Sequence, residues 1–387
     1  MRKTLITGAS VVLDGALQTG VSLLLAEGRI AEVFRETPPN LDAERIDAKG
    51  QYLLPAFIEL HAHGGGGYDF ADATKSSFTG VMNTHLAHGV TLLCPTLVSC
   101  EWERTLAFLE LCESFGKHSA MFGGVHLEGP FLSPLMCGAQ KPSVIIAPSE
   151  REIAALEEHA GVLSCISAAP EIDGVDALAR RMTAKGVSLS VGHSNADAKT
   201  MQKALSLGFS RITHLFSATS RRAKQGSYVV GGIEETALLE EGFTVELIAD
   251  GHHVCKESFL LTEKCKGRDG IALVSDAMRG AGCAGLTESY LGEILPENRV
   301  IIEDGVAKLP DRSSFAGSVA VGDTMVAALV GRYGLPLATV SHMMSAVPAR
   351  LLGLADKRGR IEKGLEAELV LLDASYKTVK VFSKAVC

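Results

Sequence analysis

Between Ala56 and Val274 the chain repeats one pattern: a short apolar run, then a longer stretch with one apolar face. This alternation restricts the fold more than any other feature. The runs occupy residues 56–60, 90–93, 122–127, 163–166, 187–191, 211–213, 244–248 and 271–274. Between them lie amphipathic stretches such as 149–160 and 196–207. Strand-length runs buried on both faces, separated by helices, are what a parallel sheet requires. Eight of them predict an α/β fold of the (β/α)₈, TIM-barrel type. A doubly wound open sheet is the rival arrangement that the pattern alone leaves open.

The two ends have a different texture. Residues 4–47 read as short strands broken at Asp14-Gly15 and Glu27-Gly28, dipeptides that favour tight hairpins. Residues 359–361, 368–372 and 378–382 again read as strands. The simplest arrangement pairs both ends into one small β domain, 1–53 with 346–387, beside a barrel formed by 54–345.

Polar residues at the carboxyl ends of barrel strands converge on one face, where the βα loops meet. His61 and His63 follow the first run, and their i, i+2 spacing points both imidazoles the same way. Glycines 64–67 then let the backbone pass close by. Glu128 ends the third run, His193 follows the fifth, His214 the sixth and Asp276 the eighth. Taken singly, each residue has an ordinary explanation: a hydrogen-bonded loop histidine, or an aspartate capping a helix. Five strand ends carrying imidazole or carboxylate together point instead to a divalent metal, zinc or a similar ion. Such an ion acidifies water toward a pKa of about 7 and polarises a carbonyl. Asp276 is then the natural general base, passing its proton to a leaving amine.

Composition narrows the remaining classes. A net charge of −8 with no long basic block argues against a nucleic-acid partner. The lack of a Cys-x-x-Cys pair argues against a thiolate zinc site, and an odd count of nine cysteines argues for reduced thiols in a cytoplasm. No run approaches the roughly 18 apolar residues of a membrane span, and the first residues lack a signal core.

The sequence resembles the N-acetylglucosamine-6-phosphate deacetylases within the amidohydrolase superfamily. The resemblance covers nearly the whole chain. It rests on Pro55-Ala56-Phe57-Ile58-Glu59-Leu60-His61-Ala62-His63-Gly64, His126-Leu127-Glu128-Gly129-Pro130-Phe131, Val191-Gly192-His193-Ser194 and Thr213-His214-Leu215-Phe216. Ala249-Asp250-Gly251-His252-His253-Val254, Val274-Ser275-Asp276-Ala277-Met278, Ala316-Gly317-Ser318 and Pro348-Ala349-Arg350-Leu351-Leu352-Gly353 extend it. It implies a barrel flanked by a β-sandwich from both termini, and a homodimer. It implies Glu128, His193 and His214 as ligands of a catalytic metal, with His61 and His63 matching members that hold a second ion. Asp276 would be the acid/base. Substrate contacts would fall at Ala139, Gln140, Ser217, Ala218, Gln225, His253, Phe315, Ala316 and Gly317.

Three positions depart from the family pattern. Gln140 stands where a histidine helps polarise the amide carbonyl, Ser217 where an asparagine helps hold the sugar phosphate, and Gln225 where a phosphate-binding arginine is expected. Exchanging that arginine for an amide removes a charge-assisted contact. Arg221, Arg222 and Lys224 lie nearby and either replace it or form a solvated loop. The expected reaction is hydrolysis of the acetamide of an N-acetylated amino sugar 6-phosphate. The alternatives are the same chemistry on an unphosphorylated acetamido sugar or another N-acyl compound, and a non-catalytic relative.

Overall fold

The structure, a computed structural model, describes residues 3–36 and 38–386; Met1, Arg2, Thr37 and Cys387 lie outside the described residues. All eight apolar runs form strands: β1 (Phe57–Ala62), β2 (Val90–Val98), β3 (Val125–Glu128), β4 (Leu163–Ala168), β5 (Ser188–Val191), β6 (Phe209–Ile212), β7 (Thr244–Ile248) and β8 (Ile271–Val274). They are parallel and paired in chain order from β1 to β8. The Asp276 amide donates to the His61 carbonyl at 3.0 Å, and the His63 amide to that of Ala277 at 2.8 Å, which joins the first strand to the last. The sheet therefore closes as a barrel, and the open-sheet alternative is set aside.

The helices between strands start where sequence chemistry places them. Ser149 caps Glu150–Glu158 while Glu152 reaches back to the Ser149 amide. Asp197 caps Ala198–Ser206 through the Thr200 amide at 2.9 Å. Apolar residues of these helices, such as Leu156 and Met201, share one buried cluster with strand residues such as Ile166 and Leu189. Polar side chains link strands to one another: Ser167 Oγ lies 2.7 Å from His126 Nε2 and 2.6 Å from Thr213 Oγ1. Satisfied in this way, they can be buried without penalty.

Both termini build the β layer. One sheet contains Lys3–Thr7, Ser22–Ala26, Arg29–Phe34 and Glu44–Asp47; the other combines Ser10–Leu13, Ala16–Gln18 and Tyr52–Pro55 with the C-terminal strands Leu369–Leu372 and Thr378–Phe382. Val370 pairs with Leu54. Ile6, Leu23, Val11, Leu53 and Leu369 share the core between the sheets. Asp14-Gly15 and Glu27-Gly28 turn with positive φ at both residues, as mirror-image two-residue hairpins demand.

Three details differ from the sequence reading. Residues 359–361 form no strand: Gly359 has φ 96°, and a Cβ there would fall 2.7 Å from that of Ala349, though Ile361 still enters the β core. The division after residue 53 cuts the strand Tyr52–Pro55, which belongs to the β layer. The helix Ala346–Leu351 packs on the barrel, with Val347 and Ala349 among Ile58, Leu60 and Val274. Two unanticipated additions stand near the carboxyl ends of the strands. They are a hairpin of Ala223–Gln225 and Tyr228–Val230, and a three-stranded sheet of Glu288–Tyr290, Arg299–Glu303 and Val306–Lys308. The second turns at Asp304-Gly305, again with positive φ at both residues.

Candidate metal centre

Four histidines and two carboxylates from five strand ends meet in one buried cluster. Glu128 Oε1 lies 2.9 Å from His193 Nε2 and 2.8 Å from His214 Nε2. On its other side, His61 Nε2 stands 3.7 Å from Glu128 Oε1 and His63 Nε2 stands 3.5 Å from Glu128 Oε2. The two Nε2 atoms are 3.3 Å apart. Asp276 Oδ1 closes the group at 3.1 Å from His63 and 3.4 Å from His61. Two overlapping trios result, His61–His63–Glu128 and Glu128–His193–His214.

The other ring nitrogen of each histidine fixes its tautomer. His63 Nδ1 faces the Thr96 carbonyl at 3.2 Å, His193 Nδ1 that of Met136 at 2.9 Å, and His214 Nδ1 that of Ser217 at 3.0 Å. His61 Nδ1 faces Glu246 Oε2 at 3.2 Å. These acceptors hold a proton on Nδ1, so it is the Nε2 atoms that face the cluster, where each carries a second proton or gives its lone pair to a cation. Two imidazole nitrogens 3.3 Å apart, with carboxylates on either side, make a place for a cation between them. This donor set of imidazole and carboxylate fits zinc or a similar divalent ion.

The electrostatics agree. Burial pulls the pKa of His63 and His214 down, yet hydrogen bonds and charge from Asp276 and Glu128 raise both to about 9. Burial works against charge on Glu128 too, but His193, His214 and His61 hold its carboxyl well below the usual range. The site favours positive charge. Its backbone is also unusual: His193, His214 and Asp276 have φ of 47°, 30° and 50°, a left-handed region that costs about 1–3 kcal/mol per residue. Strand-end turns of this kind persist when surrounding structure over-determines them.

The cluster opens into a cavity of about 690 Å³. Ala139, Gln140, Ser217, Ala218, His253, Phe315 and Gly317 line it. Gln140 accepts from the Ser99 amide at 2.9 Å and donates to Glu128 Oε2 at 2.9 Å. His253 Nδ1 pairs with Asp250 Oδ2 at 2.7 Å, and its ring packs on Phe315 with centroids 4.6 Å apart.

A sequence model of the amidohydrolase family matches residues 52–386. This chain belongs to the amidohydrolase family. Within it, N-acetylglucosamine-6-phosphate deacetylases are similar over almost the whole length. That of Rattus norvegicus is 30% identical over 376 residues, covering 94% of this chain and 90% of that protein. That of Bacillus subtilis is 29% identical over 385 residues, covering 97% and 94%. Among solved structures, the Pasteurella multocida deacetylase aligns with a TM-score of 0.91 at 25% identity, covering 99% of both chains. A Mycobacterium smegmatis variant in complex with N-acetyl-D-glucosamine-6-phosphate aligns at 0.89 and 29% identity, covering 98% of both.

Against that amidohydrolase frame, two residues expected at the substrate lie off the cavity. Ala316 is fully buried between Phe315 and Gly317. Gln225 sits exposed in the strand Ala223–Gln225 of the hairpin, near Asp197. Of the nearby basic residues, Arg221 lines the cavity, whereas Arg222 and Lys224 do not. Several residues escaped the sequence reading. Lys308, Arg312, Ser313 and Ser314 line the cavity. Glu246 lies behind His61, and Arg211 Nη2 donates to it at 3.0 Å. Burial pushes Glu246 up, but the His61 hydrogen bond and Arg211 bring it down to about 2. Glu59 accepts from the amides of His61 and Ser275, both at 3.0 Å, and burial lifts its pKa to about 8. A lone carboxylate inside an apolar strand was the available signal for both.

Proposed function

We propose that the chain hydrolyses the acetamide of N-acetylglucosamine 6-phosphate to glucosamine 6-phosphate and acetate, with a divalent ion, zinc, held by Glu128, His193 and His214. His61 and His63 are proposed to hold a second ion beside Glu128. The observation that carries the reading is the set of four imidazoles whose Nδ1 atoms are tied to acceptors while their Nε2 atoms converge on Glu128 and Asp276. A bound ion would supply a Lewis acid for the acetamide carbonyl and acidify water.

The chain's own groups do the rest. Asp276 takes the proton of the attacking water and returns it to the nitrogen that leaves. Its carboxyl is held ionised against burial by His61 and His63. Gln140, anchored by the Ser99 amide, keeps its N–H₂ on the Glu128 side of the cavity, where it orients the carboxylate and offers an uncharged donor. His253 and Phe315 frame the sugar. The resemblance to homodimeric family members supports a homodimer. The odd count of nine cysteines, with the eight described ones unpaired, supports a reduced, cytoplasmic setting.

Ser217 and the exposed Gln225 favour a second reading, in which the substrate is an unphosphorylated acetamido sugar or another small N-acyl compound. Amine release by metal-replete protein, measured side by side on N-acetylglucosamine 6-phosphate and N-acetylglucosamine, separates the two. Strong preference for the phosphorylated sugar supports the first reading. Equal rates support the second, and no turnover of either removes both sugars.

A further inference from the structure

The cavity above the metal centre keeps its carboxylates and its cations apart. Among its described lining residues the carboxylates are Glu128 and Asp276, both buried at the metal cluster. Toward solvent it is lined by three cations, Arg221, Lys308 and Arg312, with the hydroxyl residues Ser313 and Ser314 beside them. We propose that Lys308 and Arg312, assisted by Arg221, form the anion site that receives the substrate's 6-phosphate. This rests on the deacetylase reading above, and it relocates phosphate recognition from the loop carrying Gln225 to the three-stranded sheet.

The heads of these cations are already placed. Glu303 and Asp304, which do not line the cavity, hold Lys308 Nζ at 3.1 and 3.2 Å. Glu303 also accepts from Arg312 Nε at 2.8 Å and from Nη2 at 3.2 Å. An ammonium has three N–H donors and a guanidinium five. Lys308 therefore keeps one donor free, and Arg312 keeps the pair on Nη1 and one on Nη2. Arg221 forms no ion pair among the described residues; Glu234 acts on it only through its field. Against the two carboxylates of Glu303 and Asp304 the three cations leave one positive charge, that of Arg221, and the group has donors to spare. A phosphate monoester, carrying about −1.5 to −2 charge near neutral pH, supplies both the missing charge and the acceptor oxygens. The tight Asp304-Gly305 turn and the antiparallel pairing of Arg299–Glu303 with Val306–Lys308 fix where Lys308 stands. Fixed donors lose less entropy on binding than a mobile loop would.

The test is the ratio of kcat/KM for N-acetylglucosamine 6-phosphate to that for N-acetylglucosamine, on metal-replete protein. It is measured for the wild type, Lys308→Met, Arg312→Gln, the double variant, and Arg222→Ala as a basic residue off the cavity. Metal content and thermal unfolding are checked for each. The inference expects a wild-type preference for the phosphorylated sugar that falls about ten- to a hundred-fold in the double variant, mainly through KM, and stays in Arg222→Ala. A wild-type preference that survives in the double variant overturns the anion site and leaves the deacetylase reading standing. A wild type that turns over both sugars equally overturns the anion site and the phosphorylated substrate, but not the deacetylation. Turnover of neither sugar overturns the deacetylase reading and the anion site with it.

Discussion

His61 Nδ1 and Glu246 Oε2 stand 3.2 Å apart in the barrel, both fully buried, with Arg211 bonded to the other carboxylate oxygen. A carboxylate behind a ligating imidazole fixes its tautomer and raises its basicity, and losing such a partner typically costs 10–100-fold in metal affinity. Breaking one side of a buried ion pair also destabilises the fold, by about 3–5 kcal/mol. Glu246→Gln should therefore bind less metal and unfold at lower temperature. Metal titration and calorimetry check this, and wild-type metal affinity in the variant would show that His61 needs no support.

Asp276→Asn should separate binding from proton transfer. Glu128, His193 and His214 keep their mutual contacts in the variant, so the ion assigned to them should be retained. Turnover should fall by roughly 10²–10⁴-fold, the usual worth of a general acid–base. Elemental analysis beside kcat reads both quantities. Full activity with metal bound would take Asp276 out of the mechanism.

Chelation should abolish turnover, and added zinc should restore it. The same treatment should lower the unfolding temperature, because an ion that binds only the folded chain stabilises it by mass action. That effect is about 2.7 kcal/mol at a hundredfold excess over Kd. Turnover that persists in chelated protein with no measurable metal would refute the metal-dependent reading.

The barrel and its cluster were legible because both follow from local rules. Runs such as 244–248 are apolar enough to be buried on two faces, and His61 and His63 share a face through the period of a strand. The Asp14-Gly15 turn was readable for the same reason. Gln225 was different: its alignment with a family arginine placed it at the substrate, but the strand Ala223–Gln225 carries it to the surface. Lys308 and Arg312 gave no signal, since they reach the cavity only through the pairing of strands well after the barrel. Long-range placement of this kind has no period in the sequence. The partners of Glu246 and Glu59 were equally hidden, although a charged residue within an apolar run marks a position that must find one.

His85 gives the fold an acid sensitivity of its own. It is fully buried below the glycine loop: Nε2 bonds to the Gly64 carbonyl at 3.0 Å, and Nδ1 has no partner. Protonating Nδ1 would bury a charged donor with nothing to accept it, and burial accordingly lowers the pKa from 6.5 to about 4. Between these values the unfolded chain binds the proton and the folded chain does not. The stabilising contribution is thus complete above about pH 6.5 and is lost as pH falls toward 4, on the order of 3 kcal/mol in all. His85→Gln retains an N–H for the Gly64 carbonyl and has nothing to titrate. Its unfolding temperature should fall less steeply than that of the wild type between pH 6.5 and 4.5, while groups common to both proteins, including the ligand histidines, cancel in the comparison. Parallel curves would mean that His85 does not carry the acid sensitivity assigned to it.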